Sequence, residues 1–246
     1  MPKKVLSEEE REKRTRRKRK IVKYNFELKH IEPKGKNQEN AFHAYFGGSH
    51  VLLHGVAGTG KTYISMYFAL CEMMAGRVDN IVIVRSTVQT RDLGFMPGNE
   101  DEKLAYYEQP YIEICSDLLG RKDAYEKLKS MDVVKFMSTA FIRGLTLDNS
   151  VIIIDEVQNM SDHEINSVLT RLGEGSRLLI CGDFRQNDLS NSRSRQESGI
   201  FRLLEIAKRM KKFSLIEFQV SDIVRSGFVK EYIMHRTELG YDKCWL

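Results

Sequence analysis

The chain has 246 residues, of which 41% are hydrophobic and 30% charged, enough for one large α/β domain or two small ones. No apolar run approaches the roughly 18 residues of a membrane span, and the charged N-terminus lacks the apolar segment of a secretory signal. The sequence therefore predicts a cytoplasmic protein with no membrane partner, whose four scattered cysteines, without a CxxC pair, stay reduced.

Positive charge is concentrated at the start of the chain. Residues 1–23 hold 11 basic and 4 acidic side chains, whereas the rest of the chain holds 28 basic and 30 acidic ones. We therefore divide the chain into a basic, flexible tail at 1–23 and a single globular domain at 24–246. The tail either holds nucleic-acid phosphates electrostatically or is only a solubilising arm, and its composition leaves both interpretations open.

Short apolar strands alternate with helical patterns along the domain. In chain order, the predicted strands are residues 51–53, 81–84, 133–137, 151–154, 177–181 and 215–218. The predicted helices are residues 37–46, 61–75, 103–119, 122–131, 162–172, 200–210 and 222–234. This alternation predicts an α/β fold with an open, mostly parallel sheet that carries its ligand at the carboxyl ends of the strands.

A glycine-rich segment follows the first predicted strand and opens the second helix. Residues 55–62 read GVAGTGKT and match the phosphate-loop pattern GxxxxGK[ST] completely. Such a loop directs backbone N–H groups at phosphates, and the helix N-terminus adds its positive dipole end. Lys61 reaches the β- and γ-phosphates, and the Thr62 hydroxyl binds Mg²⁺. The predicted ATP-binding residues of the loop are Gly55, Val56, Ala57, Gly58, Thr59, Gly60, Lys61 and Thr62.

The fourth predicted strand leads directly into two acids, Asp155 and Glu156. Behind a phosphate loop, the first acid holds Mg²⁺ opposite Thr62, and the second deprotonates the attacking water. We therefore assign Asp155 to the metal and Glu156 to general-base catalysis. An acidic pair could instead simply begin a helix, but the phosphate loop upstream favours the catalytic interpretation. A separate Glu also favours a hydrolase over a small-molecule kinase, which needs no water-activating base.

Three further assignments rest on a resemblance to helicases of the first superfamily. Residues 182–186 read GDFRQ, and this GDxxQ pattern resembles the helicase motif that senses the γ-phosphate, a role that falls to Gln186. Gln38 stands where those helicases place a glutamine that reads the adenine edge. A nucleic-acid-contacting loop would follow the second strand, although loop arginines are also commonly just solvated. The residues of that loop are Arg85, Thr87, Arg91 and Phe95.

From about residue 37 to 233, the chain resembles the PhoH-like ATPases of bacteria and bacterial viruses. The matching blocks are GVAGTGKT at 55–62, VR at 84–85, LGFMPG at 93–98, RGLTL at 143–147, IIIDEVQNM at 152–160, LTRLG at 169–173, GDFRQNDL at 182–189, SGI at 198–200 and DIVR at 222–225. The resemblance implies a three-layer P-loop NTPase with a RecA-like sheet, helices on both faces, ATP and Mg²⁺ as cofactors, and RNA or single-stranded nucleic acid as partner. Departures at Val56, Ser86, Leu145 and Ser226 bear on the nucleic-acid loops rather than on ATP chemistry.

The length of the chain bears on how the site is completed. A superfamily-one helicase closes its ATP site with an arginine from a second RecA-like domain, and this chain has room for one such domain. Such an arginine is worth about 10³–10⁵ in rate. We therefore expect a homo-oligomer, of which a hexameric ring is one form, in which a neighbour supplies the arginine. Arg225 is the first candidate, followed by Arg143 and Arg171, although each could equally form an ordinary surface ion pair.

Three classes of function follow from these residues. The first is a nucleic-acid-stimulated ATPase, such as an RNA helicase or translocase. The second is a phosphotransferase that uses the same phosphate loop, against which Glu156 and the GDxxQ pattern argue. The third is an ATP-switched nucleic-acid-binding protein with little hydrolysis.

Overall fold

The computed structural model describes residues 26–86, 100–183 and 199–240. Six strands lie within these ranges: β1 (His50–Gly55), β2 (Asn80–Arg85), β3 (Val134–Ser138), β4 (Ser150–Asp155), β5 (Arg177–Gly182) and β6 (Phe213–Phe218). They form one sheet in the order β3-β2-β4-β5-β1-β6, and every pair of neighbouring strands is parallel. The predicted parallel sheet is thereby confirmed.

Helices connect the strands. They are α1 (Lys36–Phe46), α2 (Lys61–Met74), α3 (Glu100–Leu119), α4 (Ala124–Ser130), α5 (Asp162–Leu169), α6 (Ile200–Ala207) and α7 (Gly227–Glu238). None of the helices in the described ranges is both long enough and apolar enough to cross a bilayer.

The sheet separates two hydrophobic cores because successive side chains of a strand point to opposite faces. On one face Val51 and Leu53 of β1 pack with apolar residues of α1 to α4. On the other face Leu52 packs with Ile165 of α5 and Leu203 of α6. Strand β4 is buried at all of its six positions, as a central strand between two helical layers must be. The three-layer, RecA-like P-loop architecture is confirmed.

The carboxyl ends of all described strands lie on the same side of the sheet, and the predicted catalytic segments begin there. The phosphate loop (residues 55–62) leaves β1, Asp155 ends β4, and Asp183 follows β5. Arg85 ends β2 and is the register partner of Asp155. The strand order therefore gathers groups that are far apart in sequence at the place where an α/β sheet binds its ligand.

Several predicted helices have the wrong bounds, including those at 103–119 and 200–210, and for two others the structure shows the cause. The helix predicted at 222–234 begins only at Gly227, because Asp222 closes a short turn by accepting hydrogen bonds from Gln219 N and Asn37 Nδ2, each 2.7 Å long. The helix predicted to reach residue 172 ends at Leu169, since the following segment forms a bridge with Leu147. Both errors arise from contacts with distant parts of the chain.

Candidate nucleotide site

The backbone of the phosphate loop adopts a conformation that side chains at positions 55 and 58 would disfavour. Gly55 has a φ of 110°, and a Cβ at that position would lie 2.1 Å from the carbonyl oxygen of Phe218. Gly58 has a φ of 76°, in the left-handed region that glycine adopts readily. The buried Thr59 hydroxyl donates to Val56 O over 3.0 Å and holds the loop closed on itself. The result is a concave turn of the kind whose N–H groups bind anions.

Lys61 opens helix α2 and turns back over the phosphate loop. Its Nζ donates to the carbonyl oxygens of Gly55 and Val56 over 2.9 and 2.8 Å. Burial lowers the pKa of this amine, while the nearby carboxylates of Asp183, Glu156 and Asp155 oppose that shift. The ammonium group is thus held across the mouth of the loop, where it can exchange two carbonyl partners for phosphate oxygens.

The two predicted metal residues lie in contact. The Thr62 hydroxyl donates to Asp155 Oδ1 over 3.0 Å, and Asp155 itself is 5% exposed. Burial, together with the adjacent charge of Glu156, raises the pKa of Asp155. A hydroxyl and a carboxylate are oxygen donors of the kind that Mg²⁺ prefers, and it commonly keeps several waters besides. The residues present therefore fit a magnesium ion bound with nucleotide.

Tyr111 completes the surroundings of Asp155, and sequence reasoning missed it. Its hydroxyl, fully buried on α3, donates to Asp155 Oδ2 over 2.7 Å. Burial and the charge of Asp155 raise the pKa of Tyr111, so the phenol stays a donor. An aromatic residue at helical spacing gives no sign of this role, because the contact joins residues 44 positions apart.

Glu156 is held by a neighbour that the sequence analysis did not single out. Its backbone is left-handed, with φ 52° and ψ 43°, a strained conformation of the kind that clusters at active sites. The Nε2 of Gln158 donates to the Glu156 carboxylate, and Asp183 N donates to the Oε1 of Gln158 over 3.0 Å. One buried amide thereby joins the predicted general base to the end of β5.

Gln38 connects the N-terminal segment to the phosphate loop. Its Nε2 donates to Thr59 O over 3.0 Å, and its Oε1 accepts from Lys34 N over 2.8 Å. The side chain is 4% exposed and borders Gly60. An adenine contact for Gln38 stays a prediction, and any such contact would use the remaining hydrogen-bonding capacity of the amide.

A cavity of about 1130 Å³, large enough for a nucleoside triphosphate, lies at this site. Its lining comes from residues 29–34, helix α3, the phosphate loop and the carboxyl ends of β2, β4 and β5. The chemically important lining residues are Gln38, Lys61, Thr62, Arg85, Asp155, Glu156, Asp183 and Arg225.

The candidate arginines occupy different places. Arg225 lies against the phosphate loop of its own chain: Val224 N donates to Gly58 O over 3.0 Å, and a Cβ on Gly58 would lie 3.0 Å from Arg225 Cγ. Arg143 contacts the ring of His163, 3.4 Å from Nδ1, and Arg171 has a buried Nε without a partner among the described residues. A role in trans stays a prediction for each of them.

Several predicted residues lie outside the described ranges. They are the basic tail at 1–23, Gln186, and the loop residues Thr87, Arg91 and Phe95. Arg85 is described, and its side chain lines the nucleotide cavity. The helicase resemblance had instead assigned Arg85 to a nucleic-acid loop.

A family model described as PhoH-like protein matches residues 30–236. This chain belongs to the PhoH-like protein family. A PhoH-like protein of Bacillus subtilis (strain 168) is 35% identical to it over 190 residues, which cover 77% of this chain and 57% of that protein. Protein PhoH of Escherichia coli (strain K12) is 34% identical over 179 residues, which cover 72% and 50%.

The match of this PhoH-like chain thus spans little more than half the length of these curated relatives. Among solved structures, the large terminase from a thermophilic bacteriophage aligns with 82% of this chain and 50% of its own. That alignment has 13% identity and a TM-score of 0.47, a likeness too low to add to the assignment. The family, with the phosphate loop, Thr62 and Asp155 in contact, identifies a P-loop nucleotide site.

Proposed function

We propose that this PhoH-like chain hydrolyses ATP with Mg²⁺ and couples hydrolysis to the binding or remodelling of RNA or single-stranded nucleic acid. The observation that carries the proposal is the contact of Thr62 with Asp155 beneath the phosphate loop, with Glu156 beside them in the same cavity. A site built only to bind ATP needs the loop and a metal ligand, but not a second, separately oriented carboxylate.

In this mechanism the phosphate loop and Lys61 bind the β- and γ-phosphates. Thr62 and Asp155 would hold Mg²⁺, which would supply positive charge to the phosphate oxygens. Glu156, oriented by Gln158, takes a proton from the water that attacks the γ-phosphorus, and the bond between that phosphorus and the bridging oxygen to the β-phosphate breaks. Tyr111 keeps the Asp155 carboxylate in place during the reaction.

Coupling to nucleic acid is supported by surface chemistry near the carboxyl edge of the sheet. After β3, Phe141 is 50% exposed and Leu145 is 39% exposed, and Arg143 lies between them in sequence against His163. An exposed aromatic ring can stack a base, and an arginine two residues away in sequence can hold a phosphate. The basic tail adds sequence-independent attraction whose strength falls with salt.

A homo-oligomer, of which a hexameric ring is one form, is part of the proposal. Helix α7 buries none of its residues, and Phe228 and Tyr232 are 80% and 58% exposed on successive turns. This apolar surface directly follows Arg225 at the nucleotide cavity, so a second copy that covered it would also approach the site. The sequence put Arg225 first as the arginine supplied in trans; because Arg225 lines the cavity of its own chain, we now favour Arg143 and Arg171 for that role.

The proposal is tested by phosphate release from Mg²⁺ and ATP, with and without single-stranded RNA or DNA. We expect hydrolysis that nucleic acid stimulates, and a loss of about 100-fold or more in Lys61→Ala and Glu156→Gln. Lys36→Ala is the matched control, since among the described residues Lys36 forms an exposed ion pair with Glu39. Phosphate transfer to a metabolite would instead support a phosphotransferase, and tight ATP binding with negligible turnover would support an ATP-switched binding protein.

A further inference from the structure

Arg85 carries a positive charge next to the predicted metal ligand Asp155. It is the last residue of β2, and its register partner on β4 is Asp155, so their Cα atoms are one strand spacing apart, about 4.8 Å. Its half-buried side chain lines the cavity together with Lys61, Asp155 and Glu156. Arg85 therefore lies beside the residues that we assign to the γ-phosphate and the attacking water.

The described partner of Arg85 is an aromatic ring. The guanidinium carbon lies 5.4 Å from the centroid of the Tyr107 ring on α3. Tyr107 is one helical turn before Tyr111, which donates to Asp155, so one face of α3 forms the wall behind both charges. A stacked guanidinium uses its flat face on the ring, and its N–H groups, which point outward in the plane, can still donate.

The cation–π contact between Arg85 and Tyr107 is weak enough for a phosphate to replace it. A cation–π contact is worth about 0.5–2 kcal/mol, whereas a hydrogen bond to a charged group is worth about 1.5–3 kcal/mol. A phosphate that enters the cavity can therefore draw the guanidinium off the ring. A buried ion pair with a carboxylate would hold the guanidinium far more firmly.

The charge balance of the site calls for such a cation. Asp155, Glu156 and Asp183 face Lys61 at the carboxyl ends of β4 and β5, and a triphosphate adds further negative charge that one Mg²⁺ does not fully neutralise. Arg225 also lines the cavity, beside Gly58, whereas Arg85 is the register partner of Asp155. Charge compensation at the γ-phosphate is what an arginine supplies in phosphoryl transfer.

We propose that Arg85 is a γ-phosphate-binding arginine supplied in cis, which exchanges the Tyr107 ring for the γ-phosphate when ATP binds. This rests on the proposed ATP hydrolysis. Arg85 then distinguishes ATP from ADP, because only the triphosphate carries the group that it contacts. It also gives each subunit a charge-compensating arginine of its own, and a neighbour's arginine becomes an addition rather than a requirement.

The experiment compares the affinities of a non-hydrolysable ATP analogue and of ADP, both with Mg²⁺, for the full chain and its variants by calorimetry. In Arg85→Ala we expect affinity for the analogue to fall about 10-fold or more, and ADP affinity to change less than about 2-fold. Arg85→Lys should recover part of the loss because it keeps a charge. Arg202→Ala is the control, since Arg202 forms an exposed ion pair with Asp162.

Turnover and nucleic-acid binding complete the test. We expect kcat of Arg85→Ala to fall about 100-fold while affinity for single-stranded RNA in the absence of nucleotide stays unchanged. Equal losses of affinity for ADP and the analogue would overturn the inference, because they indicate a structural role. So would lost RNA affinity with normal nucleotide binding, which would return Arg85 to the nucleic-acid loop.

The inference and the proposed function fail in different ways. If the wild-type chain binds the analogue but Arg85→Ala binds it equally well, the Arg85 assignment is wrong and the ATPase proposal stands. If the wild-type chain binds no triphosphate, both are wrong. Should Arg85→Ala prove unfolded by circular dichroism, Arg85→Lys decides: an analogue affinity equal to that of the wild type, with unchanged kcat, would contradict a directed guanidinium contact.

Discussion

At the scale of single residues, the carboxylate of Asp155 is shared between two hydroxyl donors, Thr62 on Oδ1 and Tyr111 on Oδ2. Thr62 is itself a predicted metal ligand, so its hydroxyl can leave Asp155 when Mg²⁺ arrives. Tyr111 has no such second role. We therefore expect Tyr111 to hold the orientation of the carboxylate with and without Mg²⁺, in the way that outer-shell hydrogen bonds orient the ligands of a metal site.

We expect Tyr111→Phe to raise the Mg²⁺ concentration needed for tight binding of an ATP analogue by about 10-fold, because the unheld carboxylate can rotate. The measurement is a Mg²⁺ titration of fluorescent-analogue binding. Tyr106→Phe is the control, since Tyr106 lies on the same helix and is 65% exposed. An unchanged Mg²⁺ dependence in Tyr111→Phe would show that the carboxylate needs no such support.

Gln158 leads to a separate expectation. Because it holds the Glu156 carboxylate and is itself held by Asp183 N, Gln158→Ala should lower kcat by about 10- to 100-fold. The affinity for ATP should change little, since Gln158 contacts neither the phosphate loop nor the metal pair. Steady-state kinetics separate the two quantities. Asn166→Ala, an exposed amide on α5, is the control, and a rise in KM with normal kcat would contradict the assignment.

At the scale of elements, Glu164 connects the ends of two strands to a helix. Its carboxylate accepts from Ser86 after β2, from Thr139 after β3, and from the N–H and hydroxyl of Ser161 at the start of α5. The bond from Ser161 N, together with a 3.3 Å bond from Glu164 N back to the Ser161 hydroxyl, forms a capping box at the start of α5. Burial alone would raise the pKa of Glu164, but the hydrogen bonds from Thr139 and Ser161 outweigh it and lower the pKa.

The sign of that shift gives a pH dependence. A lowered pKa means that Glu164 contributes stability above its unfolded pKa, about 4.3, and that this contribution is lost as pH falls through the folded pKa. We expect Glu164→Gln to lower the free energy of unfolding by about 1–2 kcal/mol at pH 7, and by much less near pH 3. Urea unfolding at both pH values measures this. Glu231→Gln, 72% exposed, should have no effect, and an equal loss at both pH values would argue against the charge.

Local sequence patterns predicted the elements because the strands contain short apolar runs and most of the helices bury apolar residues on one face. The pattern of residues 151–154 predicted β4, and the phosphate-loop motif with Asp155 predicted that Thr62 and Asp155 lie together, as they do. Where no motif linked two distant residues, the patterns did not predict their contact, as for Tyr111 with Asp155 or Gln38 with Thr59. They also misplaced the start of α7, since the backbone before Gly227 is held against the phosphate loop by Val224 rather than by helical hydrogen bonds.

At the scale of the whole molecule, the position of Arg225 bears on assembly. Since Arg225 lies beside Gly58 of its own chain, we expect a mixture of Lys61→Ala and Arg225→Ala subunits to stay inactive: each subunit lacks a residue of its own cavity. Phosphate release from mixed subunits, with mass photometry to establish the oligomer, measures this. A mixture of wild-type and Lys61→Ala subunits is the control for exchange. Regained ATPase in the first mixture would assign Arg225 to a neighbour's site.

The phosphate loop also joins two parts of the chain that are nearly two hundred residues apart. Asn37 Nδ2 donates to Asp222 Oδ2 across 185 positions. Nearby residues of both segments bind the phosphate loop, since Gln38 donates to Thr59 O and Val224 N donates to Gly58 O. Closing so long a loop costs entropy, and a bound nucleotide that stabilises the phosphate loop offsets it. Amide hydrogen exchange should therefore slow together at residues 34–38 and 222–225 on ATP binding. A displacement of either segment should therefore change the affinity for nucleotide.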